Sequence, residues 1–257
     1  MILLAALLLA GLTIDEAEHA FAAGRTEQAS QMAKQLVAGG MKGDRIDLLR
    51  ASVAAAKGQD KEALPLFSAL AAKHPANPSF ADGAARSAFR LGRMDDAGRW
   101  VAQATAQPNA PWRAWSLRGV IADERNDFQK ADECYARALA LAPGRSEILN
   151  NLGWSLLLRG EWKVAAEQLQ QALATDPSNR IARANLELAQ AALAQDLPPR
   201  RENESLDTYA SRLNDIGVIA EAAGDRKRAI AAFSQAVSLH PRWSEKAASN
   251  LAKAERR

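Results

Sequence analysis

A fixed spacing of turn residues constrains the fold of this chain more than any other feature. Glycine or asparagine recurs every 34 residues, an alanine follows five residues later, and an apolar or small residue follows four residues after that. The three columns are Gly24, Gly58, Gly92, Asn126 and Gly160; Ala29, Ala63, Ala97, Ala131 and Ala165; and Ala33, Phe67, Val101, Tyr135 and Leu169. Three coincident columns over five units indicate a stacked repeat protein.

Each column has a physical role in a helical hairpin. Glycine or asparagine tolerates the left-handed conformation at the end of a first helix. The alanine allows the second helix to approach closely, and the third column fills the space between neighbouring units. Residues 146–179 are the clearest unit, because Gly160 interrupts an apolar pattern and Asp176-Pro177 ends the second helix. We therefore predict an all-α fold of helix-turn-helix repeats.

The same spacing resembles the tetratricopeptide repeat (TPR), whose first helix carries Trp, Leu, Gly and Tyr-like positions and whose second carries Ala, Phe, Ala and Pro. The matching residues are Trp115, Gly119, Ala131, Tyr135, Ala138 and Pro143 in one unit, and Leu152, Gly153, Ala165, Ala172 and Pro177 in the next. The first three units have Ala17, Ala51 and Ala85 where glycine is usual. The resemblance implies a right-handed superhelical solenoid closed by a C-terminal capping helix.

The repeats define an expected domain organisation. Five full units begin near residues 10, 44, 78, 112 and 146, and a half repeat follows, so that the array spans residues 13–195. Residues 196–205 contain Pro198 and Pro199 among charged residues and predict a linker. Ser205 can then cap the next helix. Residues 206–257 are expected to form a sixth repeat and the capping helix.

The apolar run at residues 2–12 is the one targeting candidate. It is too short to span a bilayer as a helix but has the length of a signal-peptide core, which predicts export with residues 1–12 as the signal. No basic residue precedes the run and no clear cleavage site follows it before Asp15. The alternative is therefore an apolar cap on the first repeat. The single cysteine, Cys134, excludes an intrachain disulfide and lies far from the position of a lipoprotein anchor.

The sequence contains no pattern that predicts catalysis. The histidines are scattered at His19, His74 and His240, and zinc-protease, P-loop, serine-hydrolase and dinucleotide motifs are absent. The formal net charge is only +3, with basic and acidic residues interspersed, so nucleic-acid binding is not predicted. We expect a non-enzymatic protein with no catalytic residue, metal, cofactor or small-molecule substrate.

The TPR resemblance implies that the first helices line a concave groove that holds another protein or a peptide segment. Carried over by position, the candidate groove residues are Arg86, Phe89, Arg90, Arg113, Asn150, Asn151, Trp154, Leu157, Leu158, Ile181, Asn185 and Leu188. Asn151 and Asn185 are implied to hold a peptide backbone. The alternative is that the linker or the final helix of the same chain covers Trp154, Leu157 and Leu158.

A narrower resemblance suggests a cellular setting. Residues 150–162 and the unpaired helix after them are similar to TPR proteins of bacterial Tad/Flp pilus assembly systems. That similarity implies a scaffold in the cell envelope, periplasmic or envelope-associated, that serves a pilus or secretion-type assembly. The alternative is a cytosolic TPR co-chaperone or regulatory adaptor, with residues 2–12 as its capping segment.

Overall fold

A computed structural model describes residues 11–194, 197–239 and 244–256, and all regular structure within these ranges is helical. The helices are α1 (Ile14–Ala22), α2 (Thr26–Ala38), α3 (Asp44–Ala56), α4 (Asp60–Lys73), α5 (Pro78–Arg90), α6 (Met94–Thr105), α7 (Trp112–Glu124), α8 (Phe128–Leu141), α9 (Ser146–Leu158), α10 (Trp162–Thr175), α11 (Arg180–Ala194), α12 (Leu206–Ala222), α13 (Arg226–Leu239) and α14 (Ser244–Arg256).

The helices follow the predicted period. First helices α3, α5, α7, α9 and α11 begin at Asp44, Pro78, Trp112, Ser146 and Arg180, at intervals of 34 residues. The predicted turn residues adopt the left-handed conformation, with φ of 71° at Gly58, 71° at Gly92 and 76° at Gly160. Asn126 takes their place in the fourth unit with φ of 57°, since asparagine is among the few other residues that tolerate it. The all-α repeat fold is confirmed.

Side-chain caps fix where several first helices begin. At α1, the Glu16 amide donates to Thr13 Oγ1 at 3.2 Å, and the Thr13 amide donates to Glu16 Oε2 at 2.8 Å. This reciprocal capping box satisfies two amides that would otherwise have no intrahelical acceptor. At α12, the Thr208 amide donates to Ser205 Oγ at 3.1 Å, so the predicted cap is confirmed.

The chain forms two compact units, Met1–Leu141 with α1–α8 and Ala142–Arg257 with α9–α14. In the first unit, consecutive helices α1 to α7 pack against one another in order, and α7 packs against α8. Its core is rich in alanine, and Ala63, Ala97 and Ala131 of the predicted column are fully buried. Because alanine adds little bulk, second helices approach first helices closely.

The second unit begins with α9, α10 and α11, and α11 packs against both other helices. In the full repeat, the Leu169 side chain lies over Gly153, 2.6 Å from the position of an added Cβ. One repeat later, α11 replaces the helix-facing residues Leu149, Gly153 and Leu156 with Arg183, Glu187 and Gln190. These polar residues provide no apolar surface on which a second helix could pack. Their presence explains why this unit is a half repeat.

Helices α12 and α13 form the predicted sixth hairpin, with α14 packed on α13. Phe233 lies over Gly217, as Leu169 lies over Gly153, and Ala229 and Ala254 complete a small core. Among the described residues, no helix has the length and apolar character needed to cross a membrane. Most of the apolar run at 2–12, and therefore the signal prediction, lies outside the described residues.

Candidate partner-binding faces

In the first unit, the predicted groove residues lie on two first helices that contact each other, α5 and α7. Arg86 and Arg90 keep 40% and 41% of their side chains exposed. Phe89 is half-buried against the core, and Arg113 is exposed with its guanidinium 4.4 Å from the centre of the Trp112 ring. We call Arg86, Phe89, Arg90 and Arg113 the first-helix face.

Arg90 also links two repeats. Its guanidinium donates two hydrogen bonds to the buried Asp60 carboxylate at the start of α4, at 2.7 Å and 2.6 Å. This bidentate arrangement is the geometry that arginine and carboxylate favour. The Arg90 guanidinium holds the pKa of Asp60 below its ordinary range. One edge of the first-helix face is therefore fixed in position before any partner binds.

A buried carboxylate lies beside the same face. Asp82 on α5 is 4% exposed, and its Oδ2 accepts a hydrogen bond of 3.1 Å from Arg86 Nε. The other oxygen, Oδ1, is buried without a hydrogen-bond donor. Burial raises the pKa of Asp82, and the charges of Arg86 and Arg113 oppose that rise only in part. Asp82 is therefore a buried carboxylate beside the first-helix face with one oxygen that accepts no hydrogen bond.

In the second unit, the predicted asparagines pair with one another. Asn185 on α11 donates from Nδ2 to Asn150 Oδ1 on α9 at 3.0 Å, and both residues are 8% exposed. Asn150 in turn lies 3.4 Å from the half-buried Asn151. The Asn185 amide is thus already engaged between helices. The implied role in holding a peptide backbone stays a prediction for Asn151.

Two predicted groove residues belong to the core instead. Leu157 is fully buried and Leu188 is 5% exposed, so neither can contact a partner, and their assignment was wrong. Helix α12 packs against both helices that carry these residues, α9 and α11. The end of α12 lies beside the end of α9, since a Cβ added at Gly160 would be 3.0 Å from the Ala223 Cβ. Trp154 and Leu158 are half-buried, whereas Ile181 at the start of α11 is 66% exposed.

The linker lies against the side of α11 that lacks a second helix. Arg201 forms an ion pair with Glu187, which occupies the repeat position of Gly153. Arg212 on α12 binds Glu204 and the Pro199 carbonyl, and Tyr209 donates to the Pro198 carbonyl at 3.1 Å. These contacts hold the linker between α11 and α12. In the described chain, helix α12 therefore covers the predicted groove residues at the ends of α9 and α11.

Chemistry other than binding has little support in this geometry. Among the residues that the structure describes, no three His, Cys, Asp or Glu side chains cluster closely enough to hold a metal ion. Cys134 is buried, and burial raises the pKa of its thiol, which disfavours the reactive thiolate. Tyr135 donates to Asp123 at 2.7 Å inside the core, a contact that ties the two helices of one hairpin together.

The Tetratricopeptide repeat profile matches four overlapping segments, residues 14–78, 48–111, 83–146 and 116–180. Together these segments cover more than half of the chain. The chain belongs to the tetratricopeptide repeat family. TPR proteins are protein-interaction scaffolds, and a role in protein–protein interaction follows from membership. No curated protein sequence matches this TPR chain significantly.

Solved TPR structures share the fold at low identity. A chain of the APC/C Cut9–Hcn1 hetero-tetramer has a TM-score of 0.65 at 17% identity, covering 93% of this chain but 48% of that one. The TPR protein TTC0263 of Thermus thermophilus has a TM-score of 0.57 at 19% identity over 70% of this chain and 97% of that chain. PilW, described as a type IV pilus biogenesis factor, has a TM-score of 0.55 at 17% identity, with coverages of 86% and 89%. At these identities the likeness shows the fold alone.

Sequence reasoning missed Asp82, although a signal was present. Asp82 lies 68 residues, two full repeats, before Asn150 and therefore occupies the same repeat position. A buried polar residue at both positions means that consecutive first helices meet there. Aligning the repeats by position, instead of seeking exposed groove residues within each repeat, identifies both of them.

Proposed function

We propose that this TPR protein is a non-enzymatic scaffold that holds a segment of a partner protein on its first-helix face in a bacterial envelope assembly of the pilus or secretion type. The observation that carries the binding proposal is the cluster of three partly exposed arginines around Phe89 on two contacting helices. The comparable surface of the second unit is partly covered by α12.

The chemistry of the first-helix face defines what it can hold. Phe89 offers an apolar contact, and the guanidiniums of Arg86 and Arg113 favour carbonyl or carboxylate oxygens. A peptide segment supplies apolar side chains and carbonyl oxygens together, so it satisfies both requirements better than a simple anion.

Two observations support the envelope setting. The apolar run at residues 2–12 has the length of a signal-peptide core. In addition, one protein of similar fold is a pilus biogenesis factor. The cytosolic adaptor is the second candidate, and a specific contact favours it: Leu12, from the end of the apolar run, packs on the core of the first repeat.

A photo-crosslinking experiment tests the proposal. The full chain carries a benzoylphenylalanine in place of Phe89, and a matched control carries it at Val164 on α10, which is 42% exposed. Crosslinking in cells is followed by fractionation and N-terminal sequencing of the product. The proposal predicts an envelope-fraction adduct at position 89 that Arg113→Glu abolishes. Equal crosslinking at positions 89 and 164 would contradict a specific binding site on the first-helix face. An uncleaved chain in the cytosol would support the cytosolic adaptor.

A further inference from the structure

Two adjacent grooves lie on the first unit, outside the first-helix face. The first has a volume of about 700 Å³ and lies between α2, the end of α3 and the first half of α4. The second has a volume of about 450 Å³ and lies between α4 and α6. Pro65 lines both, so the two grooves form one strip across three consecutive second helices. We call this strip the outer groove.

The walls of the outer groove are apolar. Val37 is 39% exposed, and Pro65 and Leu66 line the first groove with it. Leu91 and Trp100 provide the equivalent surface in the second groove. Each groove runs beside α4, a helix of 14 residues and therefore about 21 Å long. The surface suits a row of apolar side chains carried by a helix of similar length.

Pro65 adds a polar feature to the centre of the strip. It lies inside α4 and has no N–H, so the Lys61 carbonyl lacks the donor that normally follows it by four residues. Lys61 itself lines the second groove. A carbonyl without its helical donor beside the second groove favours an occupant that supplies a hydrogen-bond donor, such as a polar side chain.

The rim of the outer groove is basic. Six basic side chains and two acidic ones line the strip: Lys34, Arg50, Lys57, Lys61, Arg93 and Arg99, with Glu62 and Asp96. Glu27 and Asp47 lie next to the strip and pair with Lys57 and Arg50. When these two acids are counted as well, two basic charges remain in excess. An occupant with carboxylates beside its apolar side chains therefore complements the strip.

From these features we infer that the outer groove is a second docking surface, and that its occupant is an acidic amphipathic helix of a partner protein. Nucleic acid fits less well, because phosphates would lie against Val37, Leu66 and Trp100. The surface is separate from the first-helix face, since α2, the end of α3, α4 and α6 line it and none of Arg86, Phe89, Arg90 and Arg113 does. One molecule can thus hold two partner segments at once.

Designed peptides test this inference. The probe is a fluorescein-labelled 14-residue helix, the length of α4, with leucine along one face and glutamate along the other. Control peptides replace glutamate by lysine or leucine by serine, and a single-stranded DNA oligonucleotide tests the phosphate alternative. Anisotropy with the full chain is expected to show binding of the Glu/Leu peptide, at least about tenfold tighter than any control, and weaker binding in high salt.

Matched variants locate the binding. Lys34→Glu with Lys61→Glu is expected to weaken Glu/Leu peptide binding about tenfold, whereas Lys163→Glu with Lys227→Glu, on the exposed surfaces of second helices α10 and α13, leaves it unchanged. Likewise Val37→Gln weakens binding, and Val164→Gln, at a similarly exposed valine, does not. All changed side chains are exposed, and circular dichroism verifies the fold of each variant.

Four outcomes overturn the inference: no binding of the Glu/Leu peptide, equal binding of the Lys/Leu peptide, preferred binding of the oligonucleotide, or equal losses in the groove variants and their controls. A fifth is loss of peptide binding in Arg113→Glu, because that result would place the peptide on the first-helix face. Failure of the Phe89 crosslink leaves the outer groove unaffected, so the two proposals fail separately.

Discussion

The two units connect successive repeats by different means. In the first unit, exposed or half-exposed basic side chains reach back one repeat to carboxylates. Examples are Arg45 to Glu18, Lys57 to Glu27 and Arg90 to Asp60. In the second unit, amides pair instead, buried Asn185 with buried Asn150 at 3.0 Å and half-buried Asn250 with buried Asn214 at 2.9 Å. Charged links depend on salt and pH, whereas neutral buried links do not.

This difference has a functional meaning. In the first unit, the charged links lie close to the surfaces that we propose for partners, so an incoming carboxylate competes with Asp60 for Arg90. In the second unit, the amides are 8% exposed or less at Asn150, Asn185 and Asn214, where a partner cannot reach them. We therefore expect the links of the first unit, and not those of the second, to respond to salt and pH.

The largest expected effect tests close packing in the second unit. Gly153→Ala places a Cβ 2.6 Å from Leu169 Cγ and should lower the free energy of unfolding by roughly 1–3 kcal/mol. In the repeat that begins at residue 78, the position equivalent to Gly153 is already alanine, Ala85. Urea denaturation measures the change. The control Gly98→Ala meets only the mobile end of Arg125 and should stabilise α6 by up to about 1 kcal/mol. Equal effects at both glycines would contradict the packing argument.

The second prediction concerns the strongest charged link of the first unit. Arg90→Met leaves the buried Asp60 carboxylate unpaired and should cost about 1–2 kcal/mol at neutral pH. Because Arg90 lowers the pKa of Asp60, the pair stabilises the fold above the ordinary carboxyl pKa of about 4. That stabilisation disappears as pH falls through the lowered value, so wild type and variant should converge there. Arg90→Lys, which keeps the charge, should lie between them.

The matched link in the second unit should behave differently. Asn185→Ala removes one buried amide pair and should cost about 1 kcal/mol. Since both asparagines are neutral, the stability cost of Asn185→Ala should be the same in low and high salt. The stability cost of Arg90→Met should instead shrink in high salt. Gln190→Ala, an exposed change on the same helix, controls for helix propensity. A salt-dependent cost at Asn185 would remove the distinction between the units.

A smaller effect of opposite sign is expected at Asp82. Burial raises its pKa, so the ionised carboxylate is destabilising at neutral pH. Asp82→Asn should therefore stabilise the fold by roughly 0.5 kcal/mol at pH 7. This gain should shrink as pH falls below the raised pKa and vanish below the ordinary carboxyl pKa of about 4, because the carboxyl is then neutral in both the folded and the unfolded wild type. Thermal melting at several pH values provides the measurement, and a variant less stable at pH 7 would contradict the account.

The smallest effect is expected at an exposed link of the first unit. Lys57 Nζ lies 2.8 Å from Glu27 Oε2, but the Glu27 side chain is 68% exposed. Solvent and salt screen such a pair, so Lys57→Gln should leave the unfolding midpoint within experimental error. A clear loss of stability there would mean that exposed pairs, and not only Arg90 with Asp60, connect the repeats of the first unit.

The sequence predicted where the first helices of the later repeats begin, although the first described helix begins at Ile14 and not near residue 10. Helices begin at Asp44, Pro78 and Trp112 because the period places them there, and Asn126 substitutes for glycine in its turn as expected. Such features are local, since each depends on residues within one hairpin. The periodic pattern therefore contains the information needed to place them.

Burial of Leu157 and Leu188 could not be predicted in the same way. It depends on α12, which follows a linker and returns to pack against α9 and α11 outside the period. The outer groove was also missed, because it depends on the space between second helices of different repeats. Pro65, inside a helix that its period predicts to be regular, was the one local signal of that surface.

The polar side of α11 has a consequence for how copies of this protein meet. Open-ended helical arrays can exchange hairpins or stack into filaments when a terminal helix presents an apolar seat. On α11, a foreign helix would have to bury Arg183 and displace the ion pair of Glu187 with Arg201. Desolvating these charges is costly, so we expect α11 to disfavour packing against a helix of another copy. The polar side of the half repeat therefore opposes hairpin exchange at α11.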